Sequence, residues 1–155
     1  DEVRERGRLV INLDLSGEPI GKNCFLVTGT PELKGYAGAV AREDGFLFNE
    51  SLDIYSSDNM PFVYEEVPAI NIARMGGRTI NRIHTAWDFV ENVTADGLAQ
   101  TSGAAISILK RVLNAQVYPV RREIDPSLRD KVEKYQFNST KEKPSLAWRS
   151  TYEKA

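Results

Sequence analysis

Residues 8–17 read "RLVINLDLSG". This almost unbroken apolar run, stopped by Ser16 and Gly17, predicts a strand buried on both faces. Strands of that kind belong to sheets covered by helices, so no other stretch bears as directly on the fold class. Asp14 falls near the carboxyl end of the run. A carboxylate there is costly to bury unless it is paired, hydrogen-bonded or bound to metal. In open α/β sheets, ligand sites gather at the carboxyl ends of strands. Taken alone, Asp14 reads as a solvated residue at a strand end.

Outward from this strand, the charged opening "DEVRERGR" fits a helix end or a lead-in, "EPIGKN" a turn, and "CFLVTG" a second strand. In "TGTPELKGYAGAVARE", Thr30 is placed to cap a helix and Pro31 to occupy its first position. Leu33, Ala37 and Val40 recur at helical spacing, against the weakening influence of Gly35 and Gly38. The segment "GFLFNESLDIYSSDNMPF" predicts a short strand and then an irregular loop, and "VPAINIA" a further strand ending at "RMGGR". A helix over 95–114 follows, with Thr94 as cap and Leu98, Ala105, Leu109 and Val112 on one face. A second helix in "REIDPSLRDKVEKYQF" starts at Asp125 and Pro126 and presents Leu128, Val132 and Tyr135. The polar remainder is expected to pack Trp148 and Tyr152 on the domain. Alternating strands and helices predict an α/β fold: part of a mixed, mostly parallel sheet flanked by helices. The expected division is an α/β domain over residues 1–118 and a charged helix and tail over 119–155.

Composition narrows the function classes. The 155 residues suffice for one domain with a sizeable core, and 41% apolar with 27% charged residues is ordinary for a globular chain. A net charge of −2 gives no electrostatic case for nucleic acid or an anionic membrane, and no apolar run reaches spanning length. Cys24 is the sole cysteine, which excludes an internal disulfide and a cysteine-based zinc site. Neither a G-x-S-x-G elbow nor a G-x-G-x-x-G or P-loop motif occurs, against serine hydrolases and nucleotide binders.

Between the last strand and the 95–114 helix lies "NRIHTAWDFVEN", which holds His84, the only histidine. Neutral imidazole is a common zinc ligand, and a nearby carboxylate can fix its tautomer. Asp88 is close enough in sequence for that part, or for capping a local turn. One histidine and one aspartate are too few on their own, since catalytic zinc takes three protein ligands and a water.

Taken in order, "INLDLSG", "YSSDNMPF", "VPAINIA" and "IHTAWDFVENV" before a long helix resemble one family. They are similar to the second half of a di-zinc exopeptidase catalytic domain of metallopeptidase family twenty-eight. This is the bacterial leucine-aminopeptidase type, which also includes glutamate carboxypeptidases. The resemblance covers about residues 8–114. It implies that Asp14 is a terminal ligand of one zinc and His84 a terminal ligand of the other. Asp88 would support the His84 loop, and Asp58, Asn59 and Phe62 would line the substrate side of the cleft. A peptide substrate is implied, with two zinc ions roughly 3.5 Å apart activating a bridging water that hydrolyses terminal peptide bonds.

The departures from the family pattern are specific. Asn59 stands where the family carries a histidine, and Ile83 where many members carry a tyrosine. The family's first histidine ligand, bridging aspartate and paired glutamates lie upstream of the strand matched here. Glu65 and Glu66 fall between the loop and the next strand, the wrong place for that pair. The expectation is an incomplete zinc-exopeptidase domain that lacks its N-terminal half, is inactive alone, and binds zinc weakly or not at all. Its exposed sheet edge is expected to allow a homodimer. The alternative is a non-catalytic binding or assembly module derived from the same fold.

Overall fold

The computed structural model describes residues 2–77 and 79–141. Trp148 and Tyr152, expected to pack on the domain, lie outside the described residues. In chain order the elements are α1 (Glu2–Arg6), β1 (Val10–Leu13), β2 (Lys22–Thr28), α2 (Pro31–Glu43) and β3 (Asn49–Leu52). Then follow α3 (Met60–Val63), β4 (Ala69–Met75), α4 (Ala95–Leu113) and α5 (Pro126–Lys141). The strands form one four-stranded sheet in the order β1-β4-β2-β3. β1 runs parallel to β4 and β2 parallel to β3, while β2 and β4 are antiparallel. The sheet is mixed and mostly parallel, flanked by helices, as the alternation of elements in the sequence implies.

Local chemistry starts the two long inner helices. Thr30 Oγ1 accepts the Leu33 N–H at 3.2 Å and Pro31 opens α2. Thr94 Oγ1 accepts the Gly97 N–H at 3.2 Å at the start of α4. A cap of this kind contributes about 1 kcal/mol by satisfying an amide that the helix itself cannot.

Side chains alternate across the sheet and build a core on each face. Phe25, Val27, Ile70 and Ile72 pack with Leu33, Ala37 and Val40 of α2 and Ala104 and Ile108 of α4. On the other face Ala69 joins Met60 and Val63 of α3 and Ile124 and Leu128 beside and within α5. Val132 and Tyr135 pack against this second cluster, so α5 buries the face read from its sequence. Among the described residues no helix is long and apolar enough to cross a membrane.

Three local expectations change. β1 is an edge strand, partly buried with Leu13 43% exposed, and is not covered on both sides. Its residues contribute to both faces of the sheet, but no strand lies along its outer edge among the described residues. α4 is rotated from the expected stripe. Ala105 and Val112 are buried as expected, joined by Gly97, Thr101, Ala104 and Ile108, while Leu98 and Leu109 are 42% and 46% exposed. Small residues allow close approach: a Cβ on Gly97 would lie 3.0 Å from the Gly17 backbone. The expected irregular loop contains the short helix α3, which Met60 and Val63 anchor in the core.

Candidate functional site

Because β1 and β4 are parallel, their carboxyl ends meet at the same end of the sheet. Asp14 lies just past β1, its N–H donating to the Ile72 carbonyl at 3.2 Å. Its carboxylate is held by a chain of polar side chains. Ser57 Oγ donates to Asp14 Oδ2 at 2.6 Å, and Asn12 Nδ2 donates to Ser57 Oγ and to Asn71 Oδ1, each at 2.9 Å. Asn71 is fully buried and sits directly beside Asn12 in the β1–β4 ladder. Two asparagines therefore position a serine, and the serine positions a carboxylate. A hydrogen bond to a charged group contributes about 1.5–3 kcal/mol, enough to restrict Asp14 to one orientation. Burial and, secondarily, the negative charge of Asp14 push the Tyr55 phenol up, so that hydroxyl keeps its proton at neutral pH.

The segment carrying His84 is tied to the same end of the sheet. It leaves β4 through Gly76 and Gly77, whose φ angles of 101° and 72° only glycine adopts without strain. It returns at Thr94, whose N–H donates to the Gly17 carbonyl at 2.9 Å just beyond β1. A Cβ on Gly17 would lie 2.3 Å from Val93, so glycine permits this closure. Within the loop, the buried Asn92 accepts from Arg82 Nη1 at 2.5 Å and donates to the Trp87 carbonyl at 2.9 Å. The Thr85 N–H donates to the Arg82 carbonyl at 3.1 Å and closes a turn whose third residue is His84, with φ of 61°. A left-handed backbone costs a non-glycine residue about 1–2 kcal/mol. Such residues cluster at ligand sites, where surrounding structure enforces them. The imidazole is exposed. The Asp88 N–H donates to the Thr85 carbonyl at 3.2 Å, and the Asp88 side chain is also exposed. Among the described residues, no hydrogen bond or ion pair joins Asp88 to His84.

The "SDNMPF" segment divides sharply by burial. Asp58 is exposed and Phe62 partly buried, whereas Asn59 is completely enclosed. The Asn59 carbonyl starts α3 by accepting the Phe62 and Val63 amides, each at 3.1 Å. Its side-chain Oδ1 has no partner, and its Nδ2 lies 3.9 Å from Met60 Sδ. Sequence reasoning does not single out Ser57, Asn12, Asn71 or Tyr55. The available signal is an asparagine inside each of two apolar strands, where burial demands a hydrogen-bonding partner.

Among the described residues, no three His, Cys, Asp or Glu side chains group so as to hold a metal ion. Asp14 and His84 by themselves leave a tetrahedral shell open, so the donors among the described residues do not make up a complete zinc site.

No protein-family model and no curated protein matches the sequence. Two solved structures do match, both of BSAP, a zinc aminopeptidase from Bacillus subtilis. They superpose with TM-scores of 0.57 and 0.55 at 18% and 17% identity. Each match covers 81% of this chain but only 33% and 34% of the aminopeptidase chain. The chain thus spans about a third of the length of the structures it matches, and shares the fold of that portion.

Proposed function

We propose that this chain is one part of a zinc-aminopeptidase-like domain, which when complete hydrolyses terminal peptide bonds. The observation that carries this reading is the likeness of fold to a zinc aminopeptidase over 81% of the chain. On this reading Asp14 and His84 are the chain's share of the metal ligands. Asp88 steadies the His84 loop, and Asp58 and Phe62 belong to the wall of the substrate cleft, while Asn59, expected there too, is enclosed and supports that wall from within. Support comes from the hydrogen bond that orients Asp14 and from a His84 loop anchored at both ends beside the same strands. The left-handed backbone of His84 also supports it, since the fold sustains that cost at an exposed position. The other ligands and the general base come from polypeptide outside this segment, so the chain alone is inactive toward peptides.

Calorimetric titration with zinc tests the division of ligands. A full protein shell binds zinc with an apparent 10–16 kcal/mol, roughly, and the single ligand this chain gives each ion supplies about a quarter of that. The dissociation constant for the chain should therefore be about 1 mM or weaker. Nanomolar binding abolished by His84→Ala would contradict the proposal, because other residues of this chain would then have to complete the shell.

A further inference from the structure

We propose that α5 sets the orientation of the Asp14 carboxylate, with Tyr135 and Lys131 as positioning residues that act through the segment 53–57. What the carboxylate serves rests on the peptidase reading, whereas the contacts that hold it need no metal.

The segment is tied at both ends. The Asp53 N–H donates to the Val27 carbonyl at 3.0 Å, and the Asp53 carbonyl accepts from the buried Thr28 hydroxyl at 2.9 Å. At the other end the Ser57 carbonyl accepts the Met60 N–H at 3.1 Å, and Ser57 Oγ donates to Asp14 Oδ2 at 2.6 Å. Residues 54–56 belong to no helix or strand, so side-chain contacts decide their path.

α5 supplies those contacts. Lys131 and Tyr135 are four residues apart and share one face of the helix. Lys131 Nζ donates to Asp53 Oδ1 at 2.8 Å, and the same oxygen accepts the Ile54 N–H at 2.8 Å. The bond from Lys131 holds the Asp53 carboxyl below its usual range, so the pair is charged at neutral pH. One turn further on, the Tyr135 hydroxyl is hydrogen-bonded to Ser56 Oγ. Ser56 is thus bound to α5 while its neighbour Ser57 is bound to Asp14. One planar peptide unit separates the helix contact from the carboxylate contact.

The helix is itself anchored. Leu128 is 2% exposed and packs with Ile124 against Met60, Val63 and Ala69. The Tyr135 side chain packs on the same cluster, so its hydroxyl reaches Ser56 from a fixed ring. The Lys131 and Asp53 side chains are 51% and 47% exposed, and exposed ion pairs contribute little to stability. Direction rather than stability is what this pair supplies. α5 lies beyond residues 8–114, the stretch that resembles the exopeptidase family, so the likeness does not imply this brace.

NMR of the full chain without metal tests the proposal through the χ1 rotamer of Asp14, read from three-bond couplings. The unaltered chain should show one staggered rotamer. Ser57→Ala should replace that pattern with averaged couplings. Tyr135→Phe removes only the hydroxyl and Lys131→Met the ammonium; each should average the couplings in part, and together they should match Ser57→Ala. Lys131→Arg keeps a donor for Asp53 and should keep the single rotamer. Arg129→Met is the control on the same helix: Arg129 pairs with Glu66 at 3.3 Å rather than with the segment, so the rotamer should stay fixed. A fixed rotamer in the double variant of Tyr135 and Lys131 overturns the proposal. So does averaging in the unaltered chain, or equal averaging in Arg129→Met, which would mean a general loosening of α5. None of these readouts needs zinc or catalysis, so failure of the peptidase reading would leave them standing.

Discussion

Phe25→Ala should lower the stability of the chain by about 3–5 kcal/mol, the range for deleting a buried aromatic side chain. Phe25 is fully buried on β2, between β4 and β3, and stacks on Phe48 with ring centroids 4.1 Å apart and planes 8° from parallel. It also contacts the cluster that joins α2 and α4 to the sheet. Its loss therefore opens a cavity where strand and helix layers meet, and β-sheet neighbours on both sides prevent collapse around it. Against a typical total of about 5–15 kcal/mol, the variant is left marginal. Thermal denaturation should show a midpoint lowered by about 10–15 °C. Leu47→Ala is the control: Leu47 is 78% exposed, and its change should stay within about 0.5 kcal/mol. Equal losses at the two positions would mean that the core does not lie where the structure sets it.

The second large effect concerns activity. A longer polypeptide carrying this segment behind a His-x-Asp and a Glu-Glu should hydrolyse N-terminal residues from peptides. The 155-residue chain alone should not raise the rate above the uncatalysed reaction. In the longer protein, Asp14→Ala and His84→Ala should each lower kcat/KM by about a thousandfold, because metal assistance supplies several kcal/mol of barrier lowering. Ser57→Ala should act more mildly, lowering kcat/KM about 10–100-fold, the range for losing a partner that orients a metal ligand. This graded order distinguishes positioning from ligation. Full activity in the His84→Ala protein would remove the histidine from the chemistry altogether.

Much of the fold is legible in the sequence because short-range chemistry and burial agree. Thr30-Pro31 and Thr94 carry the hydroxyl acceptors that start α2 and α4, and the structure uses both. The alternation in "VPAINIA" survives in β4 as Ala69 on one face and Ile70 and Ile72 on the other. The position of β1 at an edge is not legible. An edge strand can be apolar toward both faces, just as a central strand can, and only the number of backbone neighbours separates them. The α4 face is misread for a related reason. Two apolar stripes satisfy helical spacing, and the choice between them depends on which one offers residues small enough for close packing. Gly97, Thr101 and Ala104 take the buried place of the larger Leu98 and Leu109, whereas Ala105 and Val112 are buried on either reading.

At the candidate site the legible part is the carboxylate at a strand end and the single histidine in a turn-rich loop. Ser57 is not legible, because its bond to Asp14 spans 43 positions of sequence and depends on how the segment after β3 crosses the sheet. The buried Asn71 is a partial clue. An amide in an apolar strand needs a partner, and the partner is Asn12 on the adjacent strand. The left-handed backbone of His84 has only a weak sequence signal, since histidine is enriched in that conformation but does not demand it.

Anomalous diffraction from crystals of the chain soaked in excess zinc tests most directly whether Asp14 and His84 serve one metal pocket. Ligand bonds of about 2 Å and neighbouring ions about 3.5–4 Å apart limit the gap between the carboxylate and the imidazole to about 8 Å. Zinc peaks are expected against both side chains, within that span of each other. Zinc bound to neither residue, or the two side chains separated well beyond that span, would contradict it.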